Sequence, residues 1–123
     1  HLYSVPGVIN GFGMGTFFSC TSTATAAITI GVEVFASSGG APAGANSATV
    51  APGQTFTFGT RLFAGILLGA DLGNLGIVNG SGRILSTSKS LICDAGLADI
   101  SSVPPVSMKS LTIVKKTTQK AAN

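Results

Sequence analysis

The sequence predicts an all-β protein, folded as one β-sandwich of about seven short strands behind an extended N-terminal arm. The clearest evidence is residues 26–40, AAITIGVEVFASSGG, where aliphatic residues occupy every second position until a Ser-Ser-Gly-Gly turn. A two-residue period of β-branched side chains predicts a strand with one buried face. Similar runs recur between turns, and no segment has a convincing helical period. Short strands separated by turn residues are typical of two packed sheets.

The first element is the arm, residues 1–14, HLYSVPGVINGFGM, which is apolar, carries one proline and three glycines, and lacks a helical period. We expect it to extend from a sandwich domain that spans residues 15–123. Such an arm can complete the sheet of a neighbouring copy, because main-chain hydrogen bonds hold an added strand while alternate side chains fill pockets. The side chains expected to fill that groove are Leu2, Val5, Val8, Ile9 and Phe12. The alternative is an ordinary edge strand of the same chain.

The strands of the sandwich follow in order, bounded by small or turn-forming residues. They are predicted at residues 15–20, 26–36, 48–50, 55–58, 83–93 and 111–116. Residues 37–47 are expected to form a loop, and Asn-Gly-Ser-Gly at residues 79–82 a tight turn. The alternation slips in the middle of residues 83–93, which predicts a bulge or burial on both faces. Residues 61–78 hold four glycines, so we expect irregular strands or one short helical turn there.

The composition favours association with other molecules. Only 9% of the residues are charged and 17 are glycine, so small neutral side chains must cover much of the surface. A domain with so few charges is poorly protected against association, and we expect its partners to be copies of itself. The alternative is a small secreted domain with a bland surface of serine and threonine. Four of the seven basic residues lie in the last fifteen positions, and because no tryptophan accompanies them we expect no nucleic-acid partner.

The two cysteines, Cys20 and Cys93, fit neither a zinc-binding nor a redox spacing. A disulfide between them would close a loop of roughly 70 residues and contribute about 4 kcal/mol to stability. The alternative is two buried free thiols in a cytosolic protein. Low charge and abundant serine, threonine and glycine favour export, and therefore the disulfide. The start at His1 fits a mature product whose leader has been removed.

Residues that could carry chemistry are few and scattered. His1 is the single histidine, and a copper site built on it would need a second one. The acids Glu33, Asp71, Asp94 and Asp99 form neither a carboxylate pair nor a calcium loop. We therefore expect no catalytic residue, metal site, cofactor or small-molecule substrate. The longest apolar run, residues 62–69, is too short to span a bilayer.

Three stretches carry a resemblance to known proteins. FFSCTSTATAAITIGVEVF, TVAPGQTFTF and GSGRILSTSKSLIC together resemble extracellular immunoglobulin-like sandwich modules of bacterial exported and surface proteins. The resemblance covers residues 15–93, leaves out residues 61–78, and lacks the antibody pattern because there is no tryptophan. It implies a sandwich of the immunoglobulin-like or jelly-roll type in a secreted or cell-surface protein, and it implies no chemistry.

The resemblance also shapes the expected function. Some sandwich proteins of this broad kind build extracellular filaments in which a terminal arm completes the sheet of the next subunit. We expect a non-catalytic structural subunit that polymerises in this way, with residues 1–14 as donor and residues 112–120 as a second candidate. The alternative is a monomeric secreted module that binds a glycan or a surface partner.

Overall fold

A computed structural model describes residues 2–66, 68–73 and 76–115 of the chain. Within these residues the backbone forms ten β-strands and no helix. In chain order the strands are β1 (Tyr3–Asn10), β2 (Met14–Ser22), β3 (Ile28–Phe35), β4 (Gly44–Val50), β5 (Thr55–Gly59), β6 (Ala70–Asp71), β7 (Ile77–Ser86), β8 (Leu91–Asp99), β9 (Met108–Ser110) and β10 (Val114–Lys115).

The strands form two sheets that pack against each other, which confirms the predicted β-sandwich. The first sheet has the order β10-β1-β7-β3-β4 and the second the order β6-β5-β2-β8-β9. Neighbours run antiparallel except β5 and β6, which are parallel. The inward faces bury a continuous apolar core, with Phe18 and Phe58 from the second sheet against Ile30 and Ile84 from the first.

The alternation in residues 26–40 predicted a strand with one buried face, and the structure confirms it. β3 lies inside the first sheet between β7 and β4. Its even-numbered aliphatic residues, from Ile28 to Val34, are buried, while Thr29 faces solvent. Each buried β-branched side chain stabilises the fold by roughly 1.5–3 kcal/mol relative to leaving it in water.

The segment expected to be a free arm is a strand of its own chain's sheet. β1 pairs with β7 on one side and with β10 on the other. Leu2, Val5 and Val8 are buried in the core, whereas Ile9 is half-buried and Phe12 is exposed. Within this chain β1 therefore lies one position in from the sheet edge, and its apolar side chains fill the core of their own sandwich. A role for β1 between subunits remains a prediction.

Two sequence predictions around β7 are wrong. Residues 79–82 continue β7 instead of turning. The glycines serve packing, since a side chain at Gly80 would meet the Phe35 carbonyl and one at Gly82 would meet the Phe18 ring. Residues 83–93 are not one strand either, since β7 ends at Ser86 and β8 begins at Leu91. The alternation slips because the chain leaves β7 of the first sheet and enters β8 of the second sheet within this stretch.

The remaining differences concern short or irregular elements. β4 begins inside the stretch predicted as a loop, and residues 61–66 form an irregular segment that buries Phe63. The last predicted strand is reduced to the two residues of β10, and its end at residue 116 lies outside the described residues. No helix in the described part of the chain is long and apolar enough to cross a membrane.

Candidate functional site

Each acid of the described residues has its own local partner. Glu33 forms an ion pair with Arg83, 3.1 Å from Oε1 to Nη2. Asp71 and Asp94 each accept a hydrogen bond from a nearby backbone N–H, those of Gly73 and Ala95. No group of three potential metal ligands converges anywhere in the described ranges, and His1 lies outside them.

Cys20 and Cys93 form a disulfide, as the sequence analysis favoured. They lie directly opposite each other on β2 and β8, which are adjacent strands of the second sheet. The bond therefore ties two neighbours within one sheet and does not bridge the two sheets. It links positions 73 residues apart in the chain.

β1 is held in a groove between β7 and β10. From Tyr3 to Pro6 it pairs in register with β7, and the register then shifts twice before Asn10. β10 covers only the first two residues of β1, so most of this edge faces no described strand. Tyr3 Oη donates a hydrogen bond of 3.0 Å to the Leu91 carbonyl, which fastens the start of β1 to the other sheet.

The hairpin that joins β1 to β2 contains an unusual residue. Gly11 and Met14 exchange two backbone hydrogen bonds of 3.0 and 2.9 Å across the turn. Between them Phe12 has a φ of 56° and Gly13 a φ of 73°. The left-handed region suits glycine but costs a bulky side chain about 1 kcal/mol or more. Phe12 is also 87% exposed, so no packing compensates for this conformation.

Exposed aliphatic and aromatic side chains collect at the same end of the sandwich. We call the following five residues the apolar tip, with exposures between 61% and 87%: Phe12, Leu62, Val78, Val103 and Val106. Hydrogen bonds tie their loops together, from Ile100 N–H to the Gly13 carbonyl and from Ala64 N–H to the Ile100 carbonyl. Only Phe12 among them was named from the sequence, because Leu62, Val103 and Val106 lie in irregular loops and Val78 lies at the start of β7, in a stretch without a clear period.

The outer face of the first sheet carries a second feature. A depression of about 680 Å³ lies over β1, β7 and the start of the loop after β3. The Arg83 guanidinium stands 4.6 Å from the centre of the Phe35 ring at its margin and also pairs with Glu33. Ser4, Ser81 and Val114 are among the other residues that line it. The depression therefore combines a charged pair, hydroxyl groups and apolar surface.

The five side chains predicted to fill a neighbour's groove do not act together in this structure. Leu2, Val5 and Val8 point into their own core, Ile9 is half-buried, and Phe12 belongs to the apolar tip. The hydroxyl of Thr16 on β2 donates to the Ile9 carbonyl at 2.8 Å and accepts from the Ile9 N–H at 2.9 Å.

Comparison with known proteins adds no relative, since no family model, curated protein or solved structure matches the chain.

Proposed function

We propose that this protein is a non-catalytic structural subunit outside the cell that joins copies of itself by β-strand addition, with β1 as the strand that is donated. The observation that carries the proposal is the position of β1 in the first sheet. A strand near a sheet edge inserts three apolar side chains into the core and is attached to the rest of the chain by one short turn. β1 of another copy has the same sequence and can occupy that position equally well.

Exchange of β1 between copies would change few contacts. The hydrogen bonds to β7 and the buried positions of Leu2, Val5 and Val8 are remade with identical residues in the partner. Exchange of an identical element is therefore a low-cost route to association. We call the turn between β1 and β2, residues 11–13, the hinge. Straightening the hinge also relieves Phe12 of its left-handed conformation. The free energy of exchange is then set mainly by the entropy of association.

An extracellular location is part of the proposal. A disulfide persists in oxidising surroundings and is rare in the cytosol, and Cys20 and Cys93 form one here. The low proportion of charged residues and the resemblance to bacterial exported and surface modules agree with that location. The disulfide braces each subunit through two strands that remain in place when β1 leaves.

The proposal is tested by asking which chain β1 belongs to in solution. Pro6 and Ser81 are exposed partners on β1 and β7, so Pro6→Cys with Ser81→Cys can be linked by a short bis-maleimide. Exchanged strands give a covalent dimer in denaturing electrophoresis, whereas unexchanged strands give an internally linked monomer.

The matched control is Thr29→Cys with Thr87→Cys. These two exposed residues lie side by side, since the Thr29 N–H donates to Thr87 Oγ1 at 3.0 Å. Both follow the hinge, so their link stays within one chain whether or not β1 is exchanged. Monomeric products from both variants at all protein concentrations would contradict the proposal.

A monomeric binding module is the second candidate, and the depression beside Arg83 favours it. Charged pairs and hydroxyl groups over an aromatic ring suit a polar partner such as a glycan. This candidate requires the protein to remain monomeric at high concentration, so the same cross-linking experiment separates it from strand exchange.

A further inference from the structure

We infer that the apolar tip is the face on which a second copy of this chain docks, tip against tip; the inference rests on the proposed exchange of β1. Phe12, Leu62, Val103 and Val106 lie on the β1–β2 turn and on two loops that hydrogen bonds tie together. Val78 follows Ile77, which pairs with Asn10 at the same end of the sandwich. Exposed apolar side chains grouped at one end of a fold mark an interaction site more often than singly scattered ones do. The question is which partner covers it.

The reach of the hinge identifies the partner as a second copy. When β1 lies in the groove of another chain, Asn10 is at that chain's tip while Met14 stays at its own. Four Cα–Cα steps separate these residues, so they can be at most about 15 Å apart. The tips of the two copies must then face each other. Because each copy presents the same surface, the contact is twofold symmetric.

The charges around the tip permit this contact. Arg61 is held by its hydrogen bond of 2.6 Å from Nε to Asn10 Oδ1, and Asp99 accepts backbone N–H groups of its own loop. Asp71 and Lys109 add one charge of each sign near the same end. With both signs present in equal number, two copies do not repel each other as like charges would.

The shape of the exchanged pair follows from the same geometry. β1 leaves its own chain and enters its partner at the same end of the sandwich, because the groove and the hinge both open at the tip. Two chains that exchange strands reciprocally therefore satisfy both grooves and bury both tips at once. The smallest closed assembly is a dimer with the apolar tips in its centre.

The test is Val103→Ser with Val106→Ser, two tip residues outside the hinge, in the full chain. Each protein is refolded at a series of concentrations with its disulfide intact, and the dimer dissociation constant is measured by sedimentation equilibrium. Four valine side chains leave the dimer interface, so the constant should rise at least about 100-fold. The matched control is Ile92→Ser, which replaces an equally exposed aliphatic residue at the opposite end of β8 and should leave the constant unchanged.

The Pro6–Ser81 cross-link, added to the wild-type and tip-variant chains, separates the two proposals. Equal dissociation constants for both chains, with the inter-chain link still formed, overturn the docking inference but keep strand exchange. A dimer without the inter-chain link overturns strand exchange. If all chains remain monomeric, both proposals fail. Flotation of wild-type monomer with phosphatidylcholine vesicles, lost in the tip variant, would identify a lipid surface as the occupant and overturn docking of a second copy.

Discussion

At the scale of single residues, Phe12 combines a left-handed backbone with a side chain that packs against nothing. Phe12→Gly should raise the free energy of unfolding by about 0.5–1 kcal/mol, because glycine adopts this conformation without a steric penalty. Urea unfolding measures the change. Phe12→Ala removes the same ring but keeps the strain, so it should give no gain. Equal stabilisation by both substitutions would show that exposure of the ring, and not the backbone, sets the cost.

Asp99 makes the loop before β9 sensitive to pH. Its carboxylate accepts N–H groups from Ser107 at 2.9 Å and Ser102 at 3.1 Å. The Ser107 bond, with help from Ser102 and against the effect of desolvation, lowers the pKa of Asp99. A carboxyl whose pKa is lower in the folded state stabilises the fold above its unfolded pKa, about 3.9. That stabilising contribution is lost as the pH falls below about 4 and the Asp99 carboxylate becomes protonated in the folded protein.

Asp99→Asn should remove this part of the acid sensitivity. The variant is expected to be less stable than wild type near neutral pH, and the difference should shrink as the pH falls from about 4 to 2. Urea unfolding across that range measures it, with Asp94→Asn on the same strand as a control for the loss of one negative charge. A difference that grows on acidification would contradict the assigned role.

At the scale of elements, β7 shows where reasoning from sequence succeeded and failed. Ile84 follows the alternation and is buried as expected. Asn79-Gly80 has the composition of a turn, and Asn79 does adopt a φ of 56°, yet the strand continues through it. The glycines are required by the close approach of Phe35 and Phe18 from other elements, and no local pattern carries that information.

The same packing gives a prediction for β7. A methyl group at Gly80 would overlap the carbonyl oxygen of Phe35 on the neighbouring strand, so Gly80→Ala should lower the free energy of unfolding by about 1–3 kcal/mol. Gly11→Ala is the matched control, since a methyl group there meets open space. Thermal or urea unfolding measures both. If the two variants were equally stable, β7 would not approach Phe35 as closely as described.

The pair β2 and β8 is locked by the disulfide. Replacing Cys20 and Cys93 together by alanine should lower the free energy of unfolding by about 4 kcal/mol, because the unfolded chain regains the freedom of a long loop. Urea unfolding of the double variant should match that of the wild type under reducing conditions. A wild type whose stability does not respond to reductant would show that the bond is not formed in solution.

At the scale of the whole molecule, the period of two along the strands was enough to predict a sandwich, because any half-buried strand carries it. It could not predict which sheet β1 joins. The side chains predicted to fill a neighbour's groove, Val5 and Val8 among them, lie in the core of their own chain. The apolar tip could not be predicted for another reason, since its residues lie far apart in sequence and four of them belong to a turn or to irregular loops that only the folded chain brings together.

The length of the hinge should therefore decide whether β1 pairs with its own chain or with another. Removing Phe12 and Gly13 leaves too few residues to close the turn between Gly11 and Met14, so β1 can reach only another chain and dimers should dominate. Inserting Gly-Ser-Gly after Phe12 relaxes the turn and should give monomers. Light scattering on freshly refolded protein measures both. Because groove and hinge open at one end, closed pairs are expected from the shortened chain, and long filaments would show that the tips do not meet.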